Sequence, residues 1–357
     1  MVIDCRTMRK TLLLSLLLSA ICLGTFLPPS RAQARPRTEA ESVLLVANQG
    51  DRDLSIIDPG VGQQIAIVPE GGITGHEVAA SPDGRTAYVP IYGDSGVGKP
   101  GSDGRNMVVI DIPTRKVVGT VDFGHGVRPH CVVYDRNRDL LYVTTELDKT
   151  VTAVDPRTLK VVGSVPTTQA ESHMLAISHD GRRGYTANVG PGTVSVLDLT
   201  TRKTITVIPI ASIVQRVSIS NDDSMVFTSD QTKPQLAVID TSTNKVKTWV
   251  PLLASGYGTA PTIDGRLLVA MPSVAKVAVI DLGTLKVVRT VDVPRGPAEI
   301  LIRPDGLVAY VSCPPSNNVA VIDLAQWKLQ ATIDAGKYAD GLAWAGKPLA
   351  QSPNGKR

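Results

Sequence analysis

The chain has 357 residues, of which 43% are hydrophobic and 20% charged, and its formal net charge is +4. That balance excludes a disordered chain, and four cysteines are too few for a disulfide-stapled scaffold. Aromatic residues make up only 4%, whereas 31 Gly and 25 Pro forecast many turns.

At the N-terminus, Arg6, Arg9 and Lys10 precede a mostly apolar run from Leu12 to Leu27. Pro28-Pro29 ends the run, and Ala32-Gln33-Ala34 supplies a small-x-small triplet. This is the pattern of a secretory signal peptide over residues 1–34, with a periplasmic or secreted product. Ile21 is too large a neighbour for Cys22 to be a lipoprotein site. No apolar run of spanning length follows, so no membrane span is expected after cleavage. Residues 1–34 carry Arg6, Arg9, Lys10 and Arg31 against Asp4, so their removal takes the net charge from +4 to +1. No basic stretch with interleaved aromatics remains, which gives no sign of a nucleic-acid partner. Residues 35–42 read as a linker.

From there one unit recurs. An apolar strand ending in Asp appears at Asp58, Asp111, Asp155, Asp198, Asp240, Asp281 and Asp323, at spacings close to 42 after the first. A turn and a second strand follow most copies, as in Thr114-Arg115-Lys116-Val117-Val118-Gly119. A hairpin precedes them, with turns such as Ser81-Pro82-Asp83-Gly84, Ser178-His179-Asp180-Gly181 and Arg303-Pro304-Asp305-Gly306. Four short strands in about 42 residues is the period of a propeller blade. Seven copies predict an all-β, seven-bladed β-propeller over residues 43–345, with four antiparallel strands per blade. Length alone suggests two or three domains, but one such unit cannot bury both faces of its sheet, so the repeats form one domain.

The first blade begins with strands at Val43–Asn48, Leu54–Asp58 and Gln64–Val68 and lacks an innermost strand. A strand at 340–345 is expected to complete it and close the ring, which leaves no open sheet edge. Residues 346–357 read as a polar tail. The pieces Tyr142-Val143-Thr144-Thr145, Tyr185-Thr186-Ala187-Asn188 and Tyr310-Val311-Ser312, each followed by an apolar-Asp strand, resemble the YVTN repeats of YncE-like periplasmic and surface propellers. The resemblance covers residues 43–345. It implies the fold, while the activities found on such propellers range from binding to catalysis.

Cys5 and Cys22 leave with the signal. Cys131 falls on an inner strand of the third blade and Cys313 on the second strand of the last. They are expected to sit far apart as free buried thiols.

Aligning the repeats on Tyr88, Tyr142 and Tyr185 places His76, His130 and His173 at one equivalent position, each twelve residues earlier. The other blades carry Gln215, Tyr257, Ala298 and Asp340 there. Inner-strand starts meet the central channel, so three imidazoles are expected on one sector of its mouth. The second strands return to the same face and end in Tyr92, Glu146 and Asn188. Glu77 follows His76, and Glu171 precedes His173 by two. These eight residues form the expected ligand-binding set. The longest insertion, Gly93–Asn106, lies on this face as a lid or rim.

Three His beside a carboxylate suit one divalent transition metal, Zn, Cu or Fe, held by His76, His130 and His173. Glu146 is a candidate fourth ligand, ring orienter or general base, and Glu146 and His130 are the candidate catalytic pair. The arrangement resembles the copper propeller of nitrous-oxide reductases and the four-His iron site of carotenoid oxygenases. With three such His here, neither activity carries over. His125 in a Gly-rich loop and His179 in a turn fall out of phase and read as structural, and the repeated Asp as turn acceptors. No nucleophile elbow, phosphate loop or haem-attachment motif occurs.

The sequence thus predicts a monomeric periplasmic or secreted propeller. It binds a small molecule or a protein partner at a His/Glu-lined channel mouth, through a metal or without one. The competing expectations are a metal-dependent enzyme, either a lactonase-like hydrolase or an oxidoreductase, and a structural or surface protein.

Overall fold

The computed structural model describes residues 42–346 apart from Ser95. The signal peptide, residues 35–41 of the linker, and the tail beyond Gly346 lie outside the described residues. Seven four-stranded antiparallel sheets form the blades of a propeller. Among the described residues only two short 3₁₀ turns interrupt the strands, at Pro272–Val274 and Pro314–Ser316.

The first blade takes its inner strand, Ala339–Gly346, from the C-terminal side, next to Ser42–Asn48, Asp53–Asp58 and Gln63–Pro69. Val43 pairs with Ala345 and Leu45 with Ala343, so the ring closes as the incomplete first repeat predicts. Blades two to seven follow in chain order at 79–122, 129–166, 172–209, 217–251, 259–292 and 300–334.

The strand patterns explain the stacking. Third strands such as Thr150–Asp155 bury four consecutive residues, because both faces of a blade are covered by neighbouring blades. Fourth strands such as Lys160–Pro166 lie at the rim and are mostly exposed. The apolar cores therefore sit between blades: Leu45, Leu54 and Ile56 of the first pack with Val89, Ile91 and Ile110 of the second.

The turns are built as the repeats dictate. Asp58, Asp111, Asp155, Asp198, Asp240, Asp281 and Asp323 each accept a backbone N–H two or three residues on. In the Asp-Gly hairpins Gly84, Gly181 and Gly306 hold φ near 70° (71°, 70° and 72°), where a side chain is disfavoured. Cys131 and Cys313 are free and buried. His125 and His179 are exposed and pair with Asp148 and Asp223 at 2.8 and 2.6 Å.

Candidate functional site

His130 and His173 are each the second residue of an inner strand, in Pro129–Asp135 and Ser172–Ile177. At both, the ladder to the second strand slips, between Pro129 and Val132 and between Ser172 and Met174. Such a bulge re-aims the side chain, here toward the axis. His76 lies just before the short strand Ala79–Ala80, in a segment held by the isolated bridge of Gly75 to Ile91. Glu70 fixes that approach: its Oε2 accepts from Gly75 N at 2.9 Å. Thr144 ties the other two together, since its hydroxyl accepts from Cys131 N and donates to His173 O, both at 2.9 Å.

The three imidazoles meet at one mouth of the channel. The centroids of His76 and His130 are 5.1 Å apart, edge to face, and those of His130 and His173 are 3.4 Å apart with only 30° between the planes. They border a cavity of about 390 Å³ that also takes in Gln49, Tyr92, Gln215, Arg216, Tyr257 and Asp340. Gly96 and Val97 of the long insertion reach its edge, so this segment is a rim of the cavity.

Each His has distinct partners. Glu146 Oε1 takes the Nδ1–H of His173, while the Tyr92 hydroxyl donates to Glu146 Oε2 at 2.7 Å. His173 Nε2 is left toward the Gln215 amide, 3.4 Å away. Gln49 donates to His76 Nδ1 at 2.8 Å and to Asp340 Oδ2 at 2.7 Å. His130 Nδ1 is buried without a hydrogen-bond partner. Burial first, and then the adjacent imidazole of His173, push His130 well below the ordinary imidazole range and His76 down to about 3. Both are neutral at physiological pH.

Beside the imidazoles lies a buried ion cluster in which Glu77 was expected at the site and Asp340 at the aligned position, while Arg216 and Glu299 were not. Arg216 Nη1 lies 2.7 Å from Glu77 Oε1 and 4.0 Å from Glu299 Oε2, and Nη2 lies 3.2 Å from Asp340 Oδ1. Its guanidinium carbon stands 5.2 Å from the centroid of the Tyr257 ring. Burial raises Glu77 well above the carboxylate range and Glu299 to about 7, against the opposing pull of Arg216. The signal was present one residue further along each inner strand: Glu77, Arg216 and Glu299 immediately follow His76, Gln215 and Ala298. Gln49 and Asp340 meet only because the ring closes.

The expected ligand-binding residues do not all converge. Of the eight, His76, Tyr92, His130 and His173 line the cavity. Glu146 stands behind Tyr92 and His173, and Glu77 lies beneath against Arg216. Asn188 is turned away: its Nδ2 donates to Thr193 and Ser195 at 3.0 and 2.9 Å, and its Oδ1 accepts from Ser172 at 2.7 Å. The cause is phase. Tyr92 and Glu146 follow their aligned tyrosines by four residues and Asn188 by three, and one step along a strand reverses the side chain. Glu171 also faces elsewhere, with Oε2 accepting from Gly190 N at 2.7 Å beside Gly98 of the insertion.

Among the described residues no group of three or more His, Cys, Asp or Glu side chains is placed to hold a metal. Imidazole lone pairs lie in the ring plane, and the near-parallel rings of His130 and His173 direct theirs side by side. An ion bound at about 2 Å from each nitrogen needs them to converge. The side chains as placed do not fit the expected metal.

A family model described as a lactonase, 7-bladed beta-propeller, matches residues 97–209. No curated protein matches. Among solved structures, one of Kuenenia stuttgartiensis hydrazine synthase aligns with a TM-score of 0.67 at 18% identity, over 82% of this chain and 99% of that one. A functionally unknown protein from Desulfotomaculum acetoxidans DSM 771 aligns with a TM-score of 0.70 at 14% identity, over 85% and 99%. The dihydro-heme d1 dehydrogenase NirN in complex with DHE aligns with 0.62 at 15%, over 88% and 77%. At these identities the likeness is one of β-propeller fold.

Proposed function

We propose that the protein holds a small molecule in the channel-mouth cavity. One observation carries this: three imidazoles, two carboxamides and one guanidinium, drawn from five blades, border the same 390 Å³ space. A cavity of that size with a few convergent polar groups is the usual form of a small-ligand site. The signal-peptide pattern of residues 1–34 and the resemblance to YncE-like propellers support a periplasmic or secreted setting. Ligand-detected NMR against a library of small polar metabolites tests the proposal. Hits should bind the native protein and be lost when His76, His130 and His173 are all replaced by Ala, with strand content retained by circular dichroism. If every hit binds both proteins equally, the cavity is not the site.

A second use of the same cavity is favoured by the His173–Glu146 pair. A carboxylate holding Nδ1–H leaves Nε2 as a proton acceptor facing the cavity. On an ester or lactone, water would give its proton to His173 Nε2 as its oxygen bonds to the acyl carbon. Collapse of the tetrahedral oxyanion then breaks the acyl C–O bond, and the proton passes to the leaving alkoxide. The lactonase-type model supports this reaction class, since its matched segment contains His130, Glu146 and His173. A pH-stat assay over a lactone panel tests it. Turnover that falls about 100-fold or more in His173→Ala supports the hydrolase, and turnover equal to buffer rejects it.

A further inference from the structure

Successive strands of a blade run in opposite directions, so the inner hairpins and the turns after each repeated Asp share the face opposite the channel mouth. Its charge is uneven around the ring. In blades two to four these segments are residues 81–86, 111–116, 135–140, 155–160, 178–183 and 198–203, and they hold 11 Lys and Arg against 7 Asp. The equivalent segments of blades five to seven, 220–225, 240–245, 262–267, 281–286, 303–308 and 323–328, hold 5 against 7. The repeat itself supplies one Asp and one Lys to each of these turns, as in Asp111 with Lys116 and Asp281 with Lys286. Arg115, Arg157 and Arg202 add a second base to the turns of blades two to four, and no turn of blades five to seven has a counterpart.

In this sector the bases project and most of the acids are folded back. Arg85, Arg115, Lys116, Arg136, Lys160 and Lys203 are exposed and, among the described residues, in no ion pair. The Lys and Arg ion pairs of the sector are those of Arg138 with Asp135, Arg157 with Asp139 and Arg182 with Asp180. Asp111, Asp155 and Asp198 are half-buried acceptors of backbone N–H groups in their own turns, and Asp135 is buried. The surface is continuous from the third blade to the fourth: Asn137 Nδ2 donates to His179 O at 2.7 Å and Arg138 Nη2 to Thr200 Oγ1 at 2.6 Å. At its outer edge Val118 and Val162, two residues past Lys116 and Lys160, are 61% and 41% exposed. The six segments contain no aromatic residue.

We infer that this face of blades two to four docks on an anionic lipid surface, with the channel mouth turned away from the membrane. The composition selects the partner. Protein interfaces are enriched in aromatic residues and depleted in Lys, and single-stranded nucleic acid is held by aromatic stacking, whereas this surface has Lys and Arg without aromatics. A lipid surface needs no pocket. It attracts Lys and Arg spread over a broad patch, each adding to the affinity, and it accepts aliphatic side chains such as Val118 and Val162 at the edge of contact. The inference stands apart from what the cavity holds: a docked propeller keeps its mouth open to solvent.

Co-sedimentation with vesicles of phosphatidylcholine, alone or with about one-third phosphatidylglycerol, tests the inference. The protein should sediment with the anionic vesicles only, and less as salt rises. Replacing Lys116, Lys160 and Lys203 together by Gln should weaken binding about 100-fold, at about fivefold for each charge. Replacing Lys245, Lys286 and Lys328 by Gln should leave it within about twofold, because those residues lie outside the basic sector. Each of the six Lys stands opposite the repeated Asp of its own blade, so the two triple variants carry the same risk to the fold and each controls for the other. No binding to either vesicle, equal binding to both, or equal loss in the two variants overturns the inference. Duplex DNA that displaces the protein from anionic vesicles at equal phosphate concentration would also overturn it, and would assign the surface to nucleic acid.

Discussion

Glu146 and His173 come from adjacent blades, yet the carboxylate of one holds the ring N–H of the other. The hydroxyl of Tyr92 completes the carboxylate from a third blade. The pair fixes which nitrogen of His173 faces the cavity. Glu146→Gln gives the ring one amide oxygen in place of two carboxylate oxygens, and Tyr92 competes for it. Nitrogen-15 NMR of the histidines should show His173 moving from one dominant tautomer to a mixture. If the protein hydrolyses esters or lactones, the same variant should lose about 10²-fold in kcat with KM little changed.

Glu70 provides a pH signature separate from the cavity. Burial raises its carboxyl to about 7, against 4.5 for the free group, while Gly75 N donates to it. Between those values the folded chain holds a proton that the unfolded chain has released. Stability from this group is therefore present below pH 4.5 and is lost as pH rises through 7. Glu70→Gln keeps an acceptor for Gly75 and removes the titration. Its melting temperature should equal that of the native protein near pH 4.5 and exceed it at pH 8, by the equivalent of about 3 kcal/mol. An equal difference at both pH values would assign the effect to packing.

Among the described residues, Arg216 alone makes the ion pairs of Glu77, Glu299 and Asp340. Arg216→Met should cost about 3–5 kcal/mol at pH 8, because it leaves buried carboxylates unpaired. The loss should shrink toward pH 5, where the raised carboxyls of Glu77 and Glu299 take up protons without needing Arg216. Urea titrations at the two pH values measure the difference.

Gly341 lies on the closing strand, where an added Cβ would meet the backbone of the second blade, with Glu77 Cα at 2.6 Å and the His76 carbonyl also in contact. Backbone cannot move aside as a side chain can. Gly341→Ala should destabilise by about 2 kcal/mol or more, read as a drop of several degrees in melting temperature. It should also disturb the His76 ring resonance, because Gly341 N donates to His76 O at 2.9 Å.

The stacking of His130 on His173 also makes a prediction. Zn²⁺ titrated into the metal-free protein should bind no tighter than to His76→Ala, since the rings do not converge on one ion as placed. Stoichiometric zinc lost in that variant would show that the rings rotate apart to ligate.

The fold was legible because its signals repeat. Asp at the end of each third strand and Asp-Gly in the inner hairpins are local devices, and repetition carries the signal past the third and fifth blades, whose turns have Arg138 and Asp223 in place of the glycine. The site was legible only where it shares that period. Phase placed His76, His130 and His173 together, but an error of one residue carried Asn188 to the wrong face. Arg216 and Glu299 stood one residue past the aligned position, and their meaning depends on a pairing across the channel that no repeat encodes. Gln49 was the least accessible of all, since its partners His76 and Asp340 are 27 and 291 residues away.

That last separation has a kinetic meaning. The amide of Gln49 bridges the first two blades through the same contact that joins the two ends of the described ring. A chain with five or six finished blades therefore has its imidazoles in sequence but not in their final poise. Contacts of such range form late, after the local hairpins. The Gln49 bridge between His76 and Asp340 therefore exists only once the closing strand has docked, and that side of the channel mouth depends on closure of the ring.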